Sequence, residues 1–273
     1  MWFSAEKNRP SQKRVKRLSG GVRREIQRHK LDDIRFFVLS SGKTGSATLE
    51  NSFTKHVMHS HTNGYFQEIH PKIQTLSIQE VLENSRIEFG RPPFVLTSIR
   101  EPVFRAISSF FQNIETHMEL KQELLVDLPV QRFVERFLEI FDGFEEYQTH
   151  HELPLMGGID IMKEEFDRNR GYGFYENQSV RLLVLRFDRI SSWPATIRDH
   201  LYADELEYFR FAPLNVSEDK WYSDIYAQFK EQVRIPGELF NRKMELHEEL
   251  MHHFFSDEDI AGFHEKYNRI VNR

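Results

Sequence analysis

The chain has 273 residues, 39% of them hydrophobic and 29% charged, which is enough for one large α/β domain or two small ones. It contains no cysteine, so disulfides, thiolate metal sites and cysteine nucleophiles are excluded. A net charge of −5 argues against a general nucleic-acid binder, and no apolar stretch has the length of a membrane span.

The charge is uneven. Residues 1–30 hold ten Lys or Arg against two Glu, a balance of +8, and the remainder carries −13. Lys13-Arg14-Val15-Lys16-Arg17, Arg23-Arg24 and Arg28-His29-Lys30 read as a basic N-terminal extension. Such a segment suits an anionic membrane surface or a polyanion, or is simply solvated. The opening residues do not read as a cleavable signal, so a cytoplasmic protein is expected, membrane-peripheral if the basic arm docks.

Ile34–Ser40 reads as a short buried parallel strand, followed by a Gly42/Gly45 turn and a helix over Ala47–His56. A second strand is expected at Val57–His61, then a turn at Asn63-Gly64 and a helix around Ile78, Val81 and Leu82. Phe94–Ile99 is the next strand. Pro102 opens the helix after it, which runs through Phe104, Ile107, Ser108 and Phe111 toward Met118. Pro129 starts a further helix that Asp142-Gly143 stops. His150–Gly173 gives no clear pattern and reads as a lid or substrate wall, or as a plain connection. Arg181–Phe187 is a third clear strand, and Trp193-Pro194 precedes a helix through Ile197, Leu201, Leu206 and Phe209. From Ser217 onward the pattern is almost all helical, interrupted at Pro236, with Ser256–Asp259 capping the last helix. Strands alternating with helices predict a three-layer, P-loop-like α/β domain over 31–273, with a central, mostly parallel sheet and a helical C-terminal part.

Two segments carry chemistry. Ser40-Ser41-Gly42-Lys43-Thr44-Gly45-Ser46-Ala47-Thr48-Leu49 passes from a strand into a helix, offering amides, hydroxyls and an ammonium to a phosphate or sulfate. Arg100-Glu101-Pro102-Val103-Phe104-Arg105-Ala106-Ile107-Ser108-Ser109-Phe110 does the same after the next strand, with Arg105 and Ser109 as alternatives to Arg100 and Ser108. Open α/β sheets bind ligands at such strand ends, so a ligand with two separate anionic groups is the natural reading. Gly42-Lys43-Thr44 matches only the end of a Walker loop, because position 37 is Phe. No apolar strand ends in a clear magnesium-holding Asp; Arg181–Asp188 comes nearest.

These two segments resemble those of the sulfotransferases that use 3'-phosphoadenosine 5'-phosphosulfate (PAPS), the carbohydrate and capsular-polysaccharide types in particular. The resemblance implies that Lys43, Thr44, Gly45, Ser46, Ala47 and Thr48 hold the 5'-phosphosulfate. Arg100 and Ser108 would hold the 3'-phosphate, within a pattern whose other fixed positions are Pro102, Arg105 and Phe110. Leu185-Arg186-Phe187-Asp188-Arg189-Ile190 and Phe255–Phe263 are similar to a strand exit and a closing helix of the same family. The implied reaction moves a sulfuryl group from PAPS to an acceptor hydroxyl with no metal, and the resemblance favours a carbohydrate acceptor.

Lys43 would stabilise the bridging oxygen, and a histidine would take the acceptor proton. Lys55-His56-Val57-Met58-His59-Ser60-His61 supplies candidates, His59 first and His61 second, with Glu68 as a backup base. Each also reads as an ordinary packing or surface residue. His151 could meet an acceptor, and Lys163, Arg168, Arg170 and the basic N-terminus could meet an anionic one. Two other classes remain open: a magnesium-dependent P-loop kinase, and a non-catalytic nucleotide-binding protein of the same fold.

Overall fold

The computed structural model describes residues 18–40, 42–60, 76–144, 157–212 and 220–272. Its centre is a five-stranded sheet in the order β2-β1-β3-β5-β4. The strands are β1 (Phe36–Leu39), β2 (Val57–Ser60), β3 (Phe94–Ile99), β4 (Tyr172–Glu176) and β5 (Arg181–Arg186). The first four in sheet order are parallel; β4 runs antiparallel to β5 at the edge. β1, β3 and β5 are buried along their whole length, as expected for strands covered on both faces.

Alternate residues feed two cores. Phe37, Leu39, Val95, Leu182 and Val184 face one. It also receives Ile26 of α1 (Gly20–Arg28), Val81 of α3 (Ile78–Phe89), Ile107 of α4 (Pro102–Gln112) and Phe137 of a helix over Val130–Ile140. Two short helices, Ile114–Met118 and Gln122–Leu125, lie between these last two. Phe36, Val38, Leu96, Leu183 and Leu185 face the other core, with Leu49 of α2 (Ser46–Asn51) and Trp193 and Ile197 of the helix Trp193–His200. The result is a mixed α/β architecture with helices on both faces of the sheet. The described part of the basic stretch is anchored: Ile26 is buried while Arg23, Arg24 and Arg28 stay exposed. Residues 1–17, with the densest basic tract, lie outside the described residues.

The C-terminal region holds four helices, Ser223–Gln232, Gly237–Leu246, Glu248–Phe254 and Asp257–Tyr267. The first and the last of them matter most by position: Ser223–Gln232 is the packing helix and Asp257–Tyr267 the closing helix. Pro236 does interrupt the helical run, in a two-residue strand, Ile235–Pro236, paired with Val271–Asn272. Ser256 and Asp259 form the expected capping box. No helix among the described residues is long and apolar enough to cross a membrane.

Three expectations are corrected. The helix after the glycine turn ends at Asn51, not His56. Phe53 bridges Phe209, and the backbone of Thr54 and Ser52 bonds Tyr208 and Arg210, so tertiary pairing takes residues that periodicity assigned to the helix. The helix from Trp193 stops at His200 for the matching reason: Leu201 is extended, and Glu205 accepts from the Tyr202 amide while pairing with buried Arg181 at 2.6 Å. The helix from Pro102 breaks at Asn113 before a separate turn of helix reaches Met118. β4 carries no clear sequence signal, because an edge strand with Gly173 inside it lacks a clear apolar alternation.

Candidate anion site

The parallel strands leave their C-terminal ends on one edge, and the predicted residues sit there. The β1 strand lies between β2 and β3, so the loop after β1 is flanked by His59 at the end of β2 and by Arg100 just beyond β3. Lys43 (φ +72°) and Gly45 (φ +91°) both adopt the left-handed region to make the loop. Gly45 is required twice over: a Cβ there would stand 2.8 Å from the Trp193 ring and 3.1 Å from Phe187. As the N-cap of α2, it also has no side chain to occupy the first amides of that helix.

Two arginines hold the loop by its carbonyls. Arg100 donates to the Lys43 oxygen at 3.1 Å, and Arg105 donates from Nε to the Gly42 oxygen at 3.1 Å. Arg105 is therefore a brace for the loop, and only 8% of it is exposed. Ser98 donates to Thr44 Oγ1 at 2.9 Å, which ties the loop to β3. The Arg100 guanidinium also lies 4.4 Å over the Phe187 ring. Ser46 and Thr48 are buried, Ser108 and Ser109 half-buried.

The electrostatics follow from crowding. Burial, then the nearby charges of Lys220 and Arg100, bring the Lys43 ammonium down to about 8. Burial likewise lowers Arg100, only partly opposed by Glu101. Glu101 is itself pushed up to about 7 by burial, against the pull of Arg100 and its hydrogen bonds. It caps α4 by accepting from the Phe104 amide at 3.1 Å and accepts from the Tyr267 hydroxyl at 2.5 Å. Cations pressed together with one weakly acidic neighbour form a place where an anion is favourable.

On the β2 side, His59 Nδ1 lies 2.9 Å from Glu50 Oε2 of α2, with the imidazole mostly buried. When Nδ1 donates to Glu50, Nε2 is the nitrogen left to accept, which is the tautomer a general base needs. His61, Glu68, His150, His151 and Ser41 lie outside the described residues. His56 sits apart at the start of β2, paired with Asp33.

The remaining two motifs meet each other. Arg186, fully buried at the end of β5, donates to both oxygens of Asp188 at 3.0 and 2.6 Å and to Asp259 of the closing helix at 2.6 Å. Its carbonyl accepts from Trp193 Nε1, whose ring backs Gly45. Asp188 is thus committed to Arg186. Arg168 donates to the His253 carbonyl, while Lys163 and Arg170 pair with Asp160 and Asp167 at the surface.

Residues that sequence reasoning missed are Glu50, Glu101 as a buried acid, Tyr267, and Lys220 with Tyr226. The first follows the loop motif directly, and its spacing onto the β2 side of a helix could have flagged it. Glu101 lies inside the second motif, where nothing local marks its burial; Tyr267, Lys220 and Tyr226 come from distant parts of the chain and had no local signal.

Residues 130–256, just under half of the chain, match the family model labelled NKWYS, described as "Putative capsular polysaccharide synthesis protein". The chain carries that five-letter string with one change, as Asp219-Lys220-Trp221-Tyr222-Ser223. No curated protein and no solved structure matches the chain. The matched range includes β4, β5 and the packing helix but not Lys43, His59 or Arg100. The comparisons thus relate the C-terminal half to capsular polysaccharide synthesis, by likeness to that family.

Proposed function

We propose that the protein is a PAPS-dependent sulfotransferase acting on a carbohydrate hydroxyl. The observation that carries this reading is the pairing of two strand-exit loops by the Arg100–Lys43 hydrogen bond, which concentrates cations where β1 and β3 end. The polysaccharide theme of the matched family supports a carbohydrate acceptor.

In this reading Lys43 and the loop over 42–48 bind the 5'-phosphosulfate, and Arg100 and Ser108 bind the 3'-phosphate. The acceptor oxygen attacks sulfur in line, and the bond from sulfur to the phosphate oxygen breaks. The acceptor proton passes to His59 Nε2, and Lys43 balances the charge left on the departing phosphate oxygen. Glu50 steadies the imidazolium that forms. Asp188, held on both oxygens by Arg186, is poorly placed to serve a magnesium-dependent kinase.

Calorimetry with adenosine 3',5'-bisphosphate, with ATP and magnesium as comparator, tests the assignment. Tight bisphosphate binding that Arg100→Ala and Lys43→Ala weaken is expected, and ATP–magnesium binding in its place would overturn it. His59→Ala is expected to keep bisphosphate affinity while transfer from PAPS to a polysaccharide acceptor falls by about 100-fold or more. Full transfer by that variant would remove His59 from the base role, and bisphosphate binding without any transfer by the native chain would favour a non-catalytic binder.

A further inference from the structure

The edge of the sheet that carries the anion site continues past it, and Phe187 is the boundary. Its ring lies under the Arg100 guanidinium and beside Gly45, while the next two residues, Asp188 and Arg189, line an open cleft of about 360 Å³. One face of the closing helix forms another wall, through Glu258, Asp259, Gly262 and Lys266. β5, which leads into the cleft, stands three strand spacings from β2, which carries His59, or about 14 Å across the sheet.

Arg189 is held ready in this cleft. Its stem rests on Gly171, where a Cβ would come within 2.7 Å of Arg189 Cγ, and its guanidinium lies 3.7 Å from Asp188 and 3.6 Å from Asp259. Those carboxylates already answer buried Arg186, so two aspartates serve two arginines. Arg168 is tethered by its Nε, which donates to the His253 carbonyl at 3.3 Å, and the Lys266 ammonium sits 5.7 Å from the Phe263 ring. Neither has an ion pair among the described residues. Set against Glu258, these two cations leave the cleft at +1, on a body over 31–273 that carries −13. Gly262 is the odd residue. It stands inside the closing helix, where glycine is weaker than alanine, yet a Cβ there would meet nothing within 4 Å. No neighbour demands its smallness, and the space it leaves open belongs to the cleft.

We propose that this cleft is a carbohydrate subsite that holds an acidic sugar of the acceptor chain, remote from the hydroxyl being modified. A bare phosphate or sulfate would meet three carboxylates there. A sugar uses donors and acceptors together, so Glu258 and the guanidinium and ammonium groups all find hydroxyl partners. A carboxylate on the ring answers the residual positive charge. Gly262 lets that ring lie close against the helix backbone. As a hold on the acceptor, the subsite rests on the carbohydrate reading above; as a binding site, it stands on the cleft alone.

Calorimetry on the full chain with tetragalacturonate, neutral maltotetraose and inorganic sulfate tests the assignment. The native protein is expected to bind tetragalacturonate about tenfold or more tightly than either of the others. Arg168→Ala and Lys266→Ala are each expected to lose about three- to tenfold in affinity for it. Gly262→Leu fills the cleft with a good helix former. Its thermal midpoint should rise by about 1–3 °C while tetragalacturonate affinity falls by about tenfold or more, a combination that misfolding does not produce. The proposal is overturned if the native chain does not bind tetragalacturonate. It is also overturned if all three variants bind it as the native chain does, the result expected when the basic N-terminal residues capture the polyanion. Sulfate bound as tightly as tetragalacturonate would make the cleft a plain anion site and overturn the carbohydrate assignment. Tetragalacturonate binding that Gly262→Leu abolishes, in a chain that does not bind adenosine 3',5'-bisphosphate, would overturn the sulfotransferase reading and leave the subsite standing.

Discussion

At the scale of single residues, Lys43 and Gly45 set the properties of the loop. An ammonium brought to about 8 is largely protonated at neutral pH and is lost as pH rises beyond that value. A bound dianion favours the charged form, so binding draws in protons near pH 8, and affinity weakens as pH rises through it. Bisphosphate titrations from pH 6.5 to 9.5 in two buffers of different ionisation enthalpy should show both effects, and Lys43→Arg should flatten the pH dependence. A flat profile in the native protein would show that Lys43 does not face the anion. Gly45→Ala is a sharper case. Its Cβ would enter the Trp193 ring while the backbone sits at φ +91°. A loss of about 1–3 kcal/mol in chemical denaturation is expected, with nucleotide binding abolished. Native stability in this variant would mean that the Trp193 ring can move aside.

At the scale of elements, α4 is the piece on which the site depends, and Glu101 is its cap. Glu101 is ionised above 4.5 in an unfolded chain but only above about 7 in the folded one. Between these values the folded state binds more protons, so this group's contribution to stability falls as pH rises from about 4.5 to 7. Glu101→Gln keeps an oxygen for the Phe104 amide and the Tyr267 hydroxyl but cannot ionise. Thermal unfolding across that range should lose the part of its slope due to Glu101, whereas an identical slope would place the carboxylate in a more polar setting. The strands β1, β3 and β5 and the openings of α2 and α4 were legible in the sequence, because apolar runs, glycines and Pro102 mark them locally. The ends of α2 and of the helix from Trp193 were not, since residues 52–54 and 208–210 pair across the chain and override helical periodicity. Lys43, Arg100 and His59 could be named from motif and position. Tyr267 could not, because it meets Glu101 across 166 residues of chain.

At the scale of the whole molecule, Arg186 joins the closing helix to the sheet and the sheet to the loop. It is fully buried, and its charge is answered by Asp188 and Asp259. The hydrogen bond from Arg186, with the Ser256 cap, holds Asp259 well below the usual carboxylate range. Its stabilising effect is therefore complete above about pH 4 and is lost as pH falls through its folded value. Removing that carboxylate leaves a buried guanidinium with half of its compensation and uncaps the closing helix. Asp259→Ala is expected to cost about 3–5 kcal/mol in chemical denaturation. The damage should also travel. Tyr267 of the closing helix touches Glu101, and the Arg186 carbonyl holds Trp193 against Gly45, so two routes lead from Asp259 to the anion site. Measured under conditions where the variant remains folded, bisphosphate affinity should fall although Asp259 touches no ligand. Phe263→Leu, a milder change in the same helix that spares the ion pair, should leave affinity near native. If Asp259→Ala lost stability but bound nucleotide normally, the ion pair would be a local staple, and the loop would hold its shape without the C-terminal half.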